Sequence, residues 1–414
     1  MKTAPSDVER PALSVDDALA RILERFAPLP AEERELLDAL GQVLAEDVRA
    51  PNDVPPFANT AMDGFAVRAA DVAEASAEHP VRLPVALDIA AGEAADRPLP
   101  PGAAARIMTG APLPAGADAV VRFEDTDSGE RVVAIRKAVA RHENVRHAGE
   151  DVRKGEVVAA AGTPLRPAEV GVLATAGRRT VRVVRRPRVA VLSTGDELVE
   201  VDEEPGPGKI RDANRFSLAA AARAAGGMPV VLGIARDNAE ALRGGLRRAA
   251  QEDVIVTSGG VSVGDYDFVK VVMRELGSMS FWSIAMRPGK PVAFGEILTT
   301  PIFGLPGNPV SALLTFELFV RPALLRLQGK VQLQRPRASA RLLEDVQKPP
   351  HLRFFGRAIY DPASGTVRTT GPQGSGILRS MALANCLLDL PIGPSVVRAG
   401  TAVTIILTDQ PEDH

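Results

Sequence analysis

Apolar residues recur at helical spacing between Ser14 and Val48 (Ala18, Ile22, Leu23, then Leu36, Leu37, Leu40, Val43 and Leu44). That pattern predicts helix across the segment, with Ser14 as N-cap ahead of Asp16 and Asp17. Pro51, Pro55 and Pro56 end it. From Val81 to Val139 short apolar runs (Val81–Leu83, Ala119–Phe123, Val132–Ile135) alternate with Gly, Pro and Asp turns, which predicts a small β-rich module. A further helix is expected over Ala168–Ala176. It leads into the arginine run Arg178–Arg188, whose charges are interleaved with valines and Pro187, and the run reads as a solvated edge.

Beyond that run the pattern changes. Val189–Leu192, Val230–Ile234, Val254–Val256 and Ile302–Leu305 are short β-branched stretches, separated or followed by the helical patterns Ser217–Ala225, Ala239–Ala250 and Val310–Leu327. Alternation of this kind specifies a mostly parallel sheet covered by helices. After Arg335 short strands return (Ala338–Leu343, Phe354–Tyr360, Val397–Leu407), a second β module.

Composition narrows the class. With 414 residues, 45% of them hydrophobic, the chain is long enough for about three domains of roughly 150 residues each. A formal net charge of -3 supplies no global field for nucleic acid or an anionic membrane, and 4% aromatic residues are too few for base-stacking platforms. Cys386 is the only cysteine, so intrachain disulfides and multi-thiolate zinc sites are excluded and a reducing, cytoplasmic setting is expected. Cys386, flanked by Leu383, Leu387 and Leu388, is expected to be a buried small hydrophobe. The five histidines lack helical zinc-ligand spacing, and no signal-peptide core or membrane-length apolar run is present.

In an open α/β sheet, ligands gather at the carboxyl ends of the strands, where helix N-termini present unpaired N–H groups. Three such ends carry distinctive loops. Ser193-Thr194-Gly195-Asp196-Glu197 sets two hydroxyls and two carboxylates after a strand, although both acids also suit a helix start. Thr257 to Lys270 combines Ser258, Gly259, Gly260 and Ser262 with Asp265 and Asp267, enough for a phosphate nest and a divalent cation, although Asp265 also suits an N-cap. Pro306-Gly307-Asn308-Pro309 starts a helix, with Asn308 as N-cap and Pro309 in the first turn. Upstream, Arg287-Pro288-Gly289-Lys290 holds two cations on a stiff loop. Only eight of the 49 basic residues (Lys+Arg) are lysine, and Lys270 and Lys290 both fall in these loops.

Ordered along the chain, the segments TAMDGFA (Thr60–Ala66), RIMTGAPLPAGADAVV (Arg106–Val121), Gly149-Glu150-Asp151, STGDEL (Ser193–Leu198), Thr257–Lys270, RPGKP (Arg287–Pro291), GLPGNPVS (Gly304–Ser311) and Gly374–Asn385 resemble the molybdopterin molybdenumtransferase family. They are also similar to the C-terminal part of gephyrin. The resemblance spans nearly the whole chain. It implies an α/β and β multidomain fold: a discontinuous helical part (12–50 and 148–187), an N-terminal β module (51–147), an α/β molybdopterin-binding domain with a mostly parallel sheet (188–334) and a C-terminal β-barrel-like domain (335–414).

The reaction so implied is insertion of molybdate into adenylylated molybdopterin, with a divalent cation such as Mg²⁺ and release of AMP. By the same resemblance Glu197 and Asp267 are the metal ligands, helped by Asp63 and Asp237. Arg287, Lys290 and Ser311 hold molybdate, Ser258, Gly259, Gly260 and Ser262 cradle the pterin phosphate, and Thr109, Pro306 and Pro309 shape the cleft. A cytoplasmic homodimer is implied, with the cleft shared between subunits and transient contact with the molybdopterin adenylyltransferase and molybdoenzyme maturation proteins. Arg287 stands where the family often has Lys, and Thr60 and Phe65 replace the commoner Ser and Tyr. A scaffold without turnover is the rival reading, opposed by retained Asp63, Glu197, Asp267, Arg287 and Lys290. The adenylyltransferase step is a third, opposed by the Asp63 and Thr109 motifs.

Overall fold

The computed structural model describes residues 12–259 and 267–408. Helix α1 (Val15–Leu23) starts as expected: Ser14 Oγ accepts from the Asp17 amide at 3.0 Å, and Val15, Ala18, Leu19 and Ile22 form its buried stripe. The helix expected to run on to Val48 stops at Leu23, ahead of Pro28 and Pro30, and Ala31–Glu35 is a strand. Tertiary pairing overrides the helical spacing there. The Leu36 amide donates to Arg179 O at 2.8 Å, and Thr180 Oγ1 to Glu33 Oε1 at 2.6 Å. Helix α2 (Pro167–Thr175) forms where the pattern placed it, its first turn closed by Glu169 Oε2 accepting from the Arg166 amide at 3.0 Å.

Two compact units make up the chain. One comprises Glu33–Leu40 and Leu44–Arg182. Its centre is a five-stranded sheet of β1 (Gly64–Val67), β2 (Val81–Ile89), β3 (Ala104–Ile107), β4 (Ala119–Arg122) and β5 (Val132–Ile135), in the order β4-β1-β3-β2-β5. Strands β2 and β3 run parallel and the other neighbours antiparallel. Phe65, Val67, Val121, Val133 and Ile135 pack one face. Only glycine fits at Gly64, since a Cβ there would collide with Val121 O across the ladder.

The other unit comprises Met1–Glu32, Gly41–Val43 and Val183–His414. Its larger sheet joins β6 (Arg188–Thr194), β7 (Met228–Ala235), β8 (Val254–Ser258), β9 (Gly277–Ser283), β10 (Pro291–Ile297) and β11 (Thr300–Leu305), in the order β7-β6-β8-β11-β10-β9. The first four are parallel, and β9 and β10 add an antiparallel edge. Strict alternation sorts the core. Val189, Val191, Val254, Val256 and Phe303 face α1, α3 (Ala213–Ala224) and α7 (Arg321–Leu327). Ala190, Leu192, Ile255 and Ile302 face α4 (Ala239–Ala249) and α5 (Asp267–Leu276). With helices on both faces, the sheet leaves its strand ends as the place for polar loops.

The arginine run corrects its expectation in part. Arg185 makes a two-pronged pair with Asp253, 2.6 Å on each arm, and Arg188 binds Glu252 at 2.6 Å. These residues fix the start of β6 as well as facing solvent.

Residues 337–407 form a closed five-stranded barrel. Strands β12 (Arg337–Leu342), β13 (Arg353–Asp361), β14 (Thr366–Thr369), β15 (Cys386–Leu390) and β16 (Ala402–Leu407) pair in the ring β13-β14-β12-β16-β15-β13. Val397, expected within one strand to Leu407, belongs to a separate short pairing with Val346. Cys386 is fully buried, as expected, beside buried Leu387 and Leu388, whereas Leu383, grouped with them in the sequence, is exposed. Met286 and Arg287 pair in parallel with Arg353 and Phe354, which joins the barrel to the loop before β10. Among the described residues no helix is long and apolar enough to cross a membrane.

Candidate active site

The carboxyl ends of β6, β7, β8 and β11 carry one connected rim. At the first, Ser193 and Thr194 are buried and Gly195 turns the chain, with the Glu197 carboxylate folded back against the space a Cβ on Gly195 would take. Asp196 and Asp237 lock two loops together: each carboxylate accepts the other's backbone amide at 3.1 Å. Lys209 Nζ donates to Asp196 O at 2.5 Å. Asp237, expected beside a metal, therefore spends Oδ2 on loop geometry and keeps its other oxygen.

Ser258 ends β8 with 3% exposure. Gly259 follows with φ +88°, and a Cβ there would stand 2.6 Å from Thr194 O, so the cradle closes on β6 only because this residue is glycine. Its amide donates to Leu305 O at 3.1 Å, tying β8 to β11. Asn214, in the first turn of α3, reaches both Ser258 Oγ and Gly307 O, each at 2.7 Å. Gly260 and Ser262 lie outside the described residues, as does the side chain of Asp267.

After β11, Pro306 is buried and Pro309 opens α6 (Pro309–Thr315). Asn308 takes the N-cap position, but its side chain makes no cap bond; the Val310 amide instead donates to Ser375 O of the barrel at 3.1 Å. Ser311 is buried in the first turn, and Thr315 Oγ1 donates to its carbonyl at 2.7 Å. The Arg287–Lys290 loop packs against this turn, since a Cβ on Gly289 would lie 2.8 Å from Thr315 Cγ2 and 3.8 Å from Ser311 O. Arg287 and Lys290 are both exposed there.

Behind this turn stands a residue the sequence reading passed over. Arg357, on β13, is 1% exposed: Nε donates to Ser380 Oγ and Nη2 to Gly374 O, each at 3.0 Å, while Nη1 has no partner. No described carboxylate binds it. Burial pushes its guanidinium down to about 10, so it remains cationic at neutral pH. A buried cation with an idle donor, next to the loop that caps α6, is poised for an anion. The available signal was the Gly374–Asn385 segment, which carried the resemblance but received no role.

Asp63 and Thr109 form their own constellation in the other unit. The Thr109 amide and Oγ1 both donate to Asp63 Oδ1 at 2.7 Å, and the backbone bond first, then the hydroxyl, hold this exposed carboxyl below the usual range. Thr60 Oγ1 donates to Met62 O at 2.6 Å, and the Gly110 amide to Thr60 O at 2.9 Å, closing the two turns on each other.

A divalent cation suits the first rim. The Glu197 carboxylate has no protein donor among the described residues, and Mg²⁺ favours one or two such hard oxygens completed by water and substrate phosphate. Among the described residues no group of three or more His, Cys, Asp or Glu side chains gathers into an all-protein cage.

Comparison with known proteins agrees with this architecture. Family models match end to end: the MoeA N-terminal region (domain I and II) over residues 13–177, a "Probable molybdopterin binding domain" over 190–326, and the MoeA C-terminal region (domain IV) over 339–408. The chain is 44% identical over 377 residues to molybdopterin molybdenumtransferase 2 of Mycobacterium tuberculosis, covering 89% of this chain and 93% of that protein. The chain belongs to the molybdopterin molybdenumtransferase family. The Haemophilus influenzae member is 38% identical over 400 residues, 95% of this chain and 98% of the other. A molybdopterin biosynthesis moeA protein from Pyrococcus horikoshii superimposes with a TM-score of 0.82 at 31% identity, covering 96% and 100% of the two chains. The family expectation for the fold, with its α/β domain and C-terminal barrel, therefore holds.

Proposed function

We propose that this chain inserts molybdenum into adenylylated molybdopterin, splitting the phosphoanhydride with water so that AMP leaves and the dithiolene sulfurs take the metal. The observation that carries the reading is the buried Arg357, unmatched by any described carboxylate and bonded to Gly374 O, one residue from the Ser375 carbonyl that caps the helix of Ser311. Tetrahedral oxyanions bind where charged donors converge from fixed directions, and Arg287, Lys290, Ser311 and Arg357 are the donors of this reading. Molybdate is their substrate.

Ser258 serves the pterin phosphate by donating its hydroxyl, and Gly259 lets the loop close tightly beside it, with Gly260 and Ser262 continuing the cradle. Glu197 and Asp267, with Asp237 and Asp63 nearby in role, would hold Mg²⁺, which supplies Lewis-acid neutralisation of the phosphoanhydride charge. Thr109 keeps Asp63 ionised. Pro306 and Pro309 stiffen the approach to α6. A cytoplasmic homodimer is the working assembly in this reading, with passing contact to the adenylyltransferase upstream and to molybdoenzyme maturation proteins downstream.

The test is a single-turnover assay with purified protein, adenylylated molybdopterin and Mg²⁺, with and without molybdate, following AMP and pterin-bound molybdenum together. Molybdate-dependent AMP release with matched molybdenum capture is expected. Tight pterin binding without AMP release under any condition would overturn the proposal in favour of a scaffold.

A further inference from the structure

Asn214 reaches two loops of the rim from a helix that carries none of the residues assigned above. Its Nδ2 spends both hydrogens, one on Ser258 Oγ and one on Gly307 O. A backbone carbonyl only accepts, so the contact with Gly307 settles which end of this amide is nitrogen. It follows that Ser258 Oγ is the acceptor in the other bond. Its own proton is given to no described residue. A serine that ordinarily both gives and takes is thereby made a donor, the polarity an anionic oxygen needs.

The position of Asn214 is itself fixed from below. Asp212, the N-cap of α3 and 1% exposed, accepts from Ser193 Oγ at 3.0 Å and from the Arg215 amide at 3.1 Å, so the first turn of α3 is pinned to the end of β6. Two residues on, Asn214 spans from that anchor to the ends of β8 and β11. One helix start therefore ties three strand-end loops, through a buried acid on one side and a forked amide on the other.

We infer that Asn214 is a positioning residue for the phosphate-bearing substrate: it dedicates the Ser258 hydroxyl to donation and holds the Gly307 peptide beside it. This rests on the reading of the rim as a pterin-phosphate site. Asn214 acts on the substrate through the Ser258 hydroxyl, with Gly307 O as its second anchor, so its signature is a change in substrate binding that vanishes once Ser258 is gone.

The experiment measures binding of molybdopterin by titration, together with KM, kcat and thermal midpoint, for the full chain and for Asn214→Asp, Asn214→Ala, Ser258→Ala and Asn214→Asp/Ser258→Ala. Asn214→Asp keeps the shape but replaces the donor by an acceptor that repels Gly307 O and captures the Ser258 proton. We expect Kd and KM to rise about tenfold or more in Asn214→Asp, with kcat changed less than about threefold, because a charge-assisted donor is lost from binding and not from the chemical step. Asn214→Ala, which removes the donor without adding charge, shows the same split with a smaller rise. The double variant binds no more weakly than the worse single one. Wild-type Kd in both Asn214 variants, additive losses in the double variant, or a fall in thermal midpoint with Kd unchanged would each overturn the inference while leaving the pterin site intact. Failure of the wild-type chain to bind molybdopterin would remove the functional reading and this inference with it.

Discussion

The α/β sheet and the C-terminal barrel handle charge in opposite ways. Around the sheet, the candidate residues sit in loops: Glu197, Asp237, Arg287 and Lys290 lie beyond strand ends, reach solvent and are set by backbone turns. The barrel instead buries its contribution, with Arg357 inside a strand, paired with Leu387 and bonded to Ser380, its guanidinium only partly satisfied. A loop charge costs little to keep and is tuned by its neighbours. A strand charge costs desolvation at all times and recovers it only when an anion arrives. The sheet side is thus the adaptable wall of the site, and the barrel side the fixed one.

The comparison breaks most sharply at Glu197. Glu197→Ala is expected to slow single-turnover AMP release by about 10²–10⁴-fold, with pterin binding retained, because a rim charge serves the reaction and not the fold. Next comes Arg357→Met, expected to raise the molybdate concentration for half-maximal insertion by roughly 10–100-fold. Its thermal midpoint stays level or rises, since an unmatched buried cation is removed. A clear fall in midpoint with molybdate use unchanged would show Arg357 to be structural.

Gly259→Ala tests the closed cradle, and is expected to destabilise the larger unit by about 1–3 kcal/mol in denaturant unfolding through φ strain and contact with Thr194 O. Thr109→Val sharpens the contrast from the other unit. Asp63 is held low by two bonds, so its ionised form persists as pH falls and is lost only through that lowered value. The variant keeps the stronger backbone bond and loses the hydroxyl, so the acid limb of the pH–rate profile moves up. Arg287→Lys has the smallest effect, a change of about threefold or less in molybdate use, because an exposed cation keeps its charge.

The parts legible in the sequence share a physical cause. Parallel strands buried on both faces write themselves as Val/Ile/Leu runs, so the centres of β6, β7, β8 and β11 were readable, with ends within two residues of those observed. The antiparallel edge was not. Strand β9 mixes Ser278, Ser280 and Ser283 with Met279 and Trp282, and β10 opens at a proline, so neither shows a clean run. Leu36 and Leu37 imitate a helix but lie in the turn that follows the strand Ala31–Glu35, whose pairing with the Arg179 region their spacing does not reveal. Arg357 was hidden for a different reason: a strand pattern tells which face a residue takes, and a charge on that face reads as solvent-facing until the barrel closes over it.

The parallel pairing of Met286 and Arg287 with Arg353 and Phe354 bears on how the protein is made. A chain emerging from the ribosome has the whole α/β sheet by Leu305, and its rim closes soon after, once Gly307 meets Asn214. The wall that holds Arg357 waits for β15 at Cys386–Leu390, close to the end of synthesis. An unfinished or clipped chain would therefore carry the strand-end rim without the wall around Arg357. Translation order makes the far C-terminus the last part of this region to be completed.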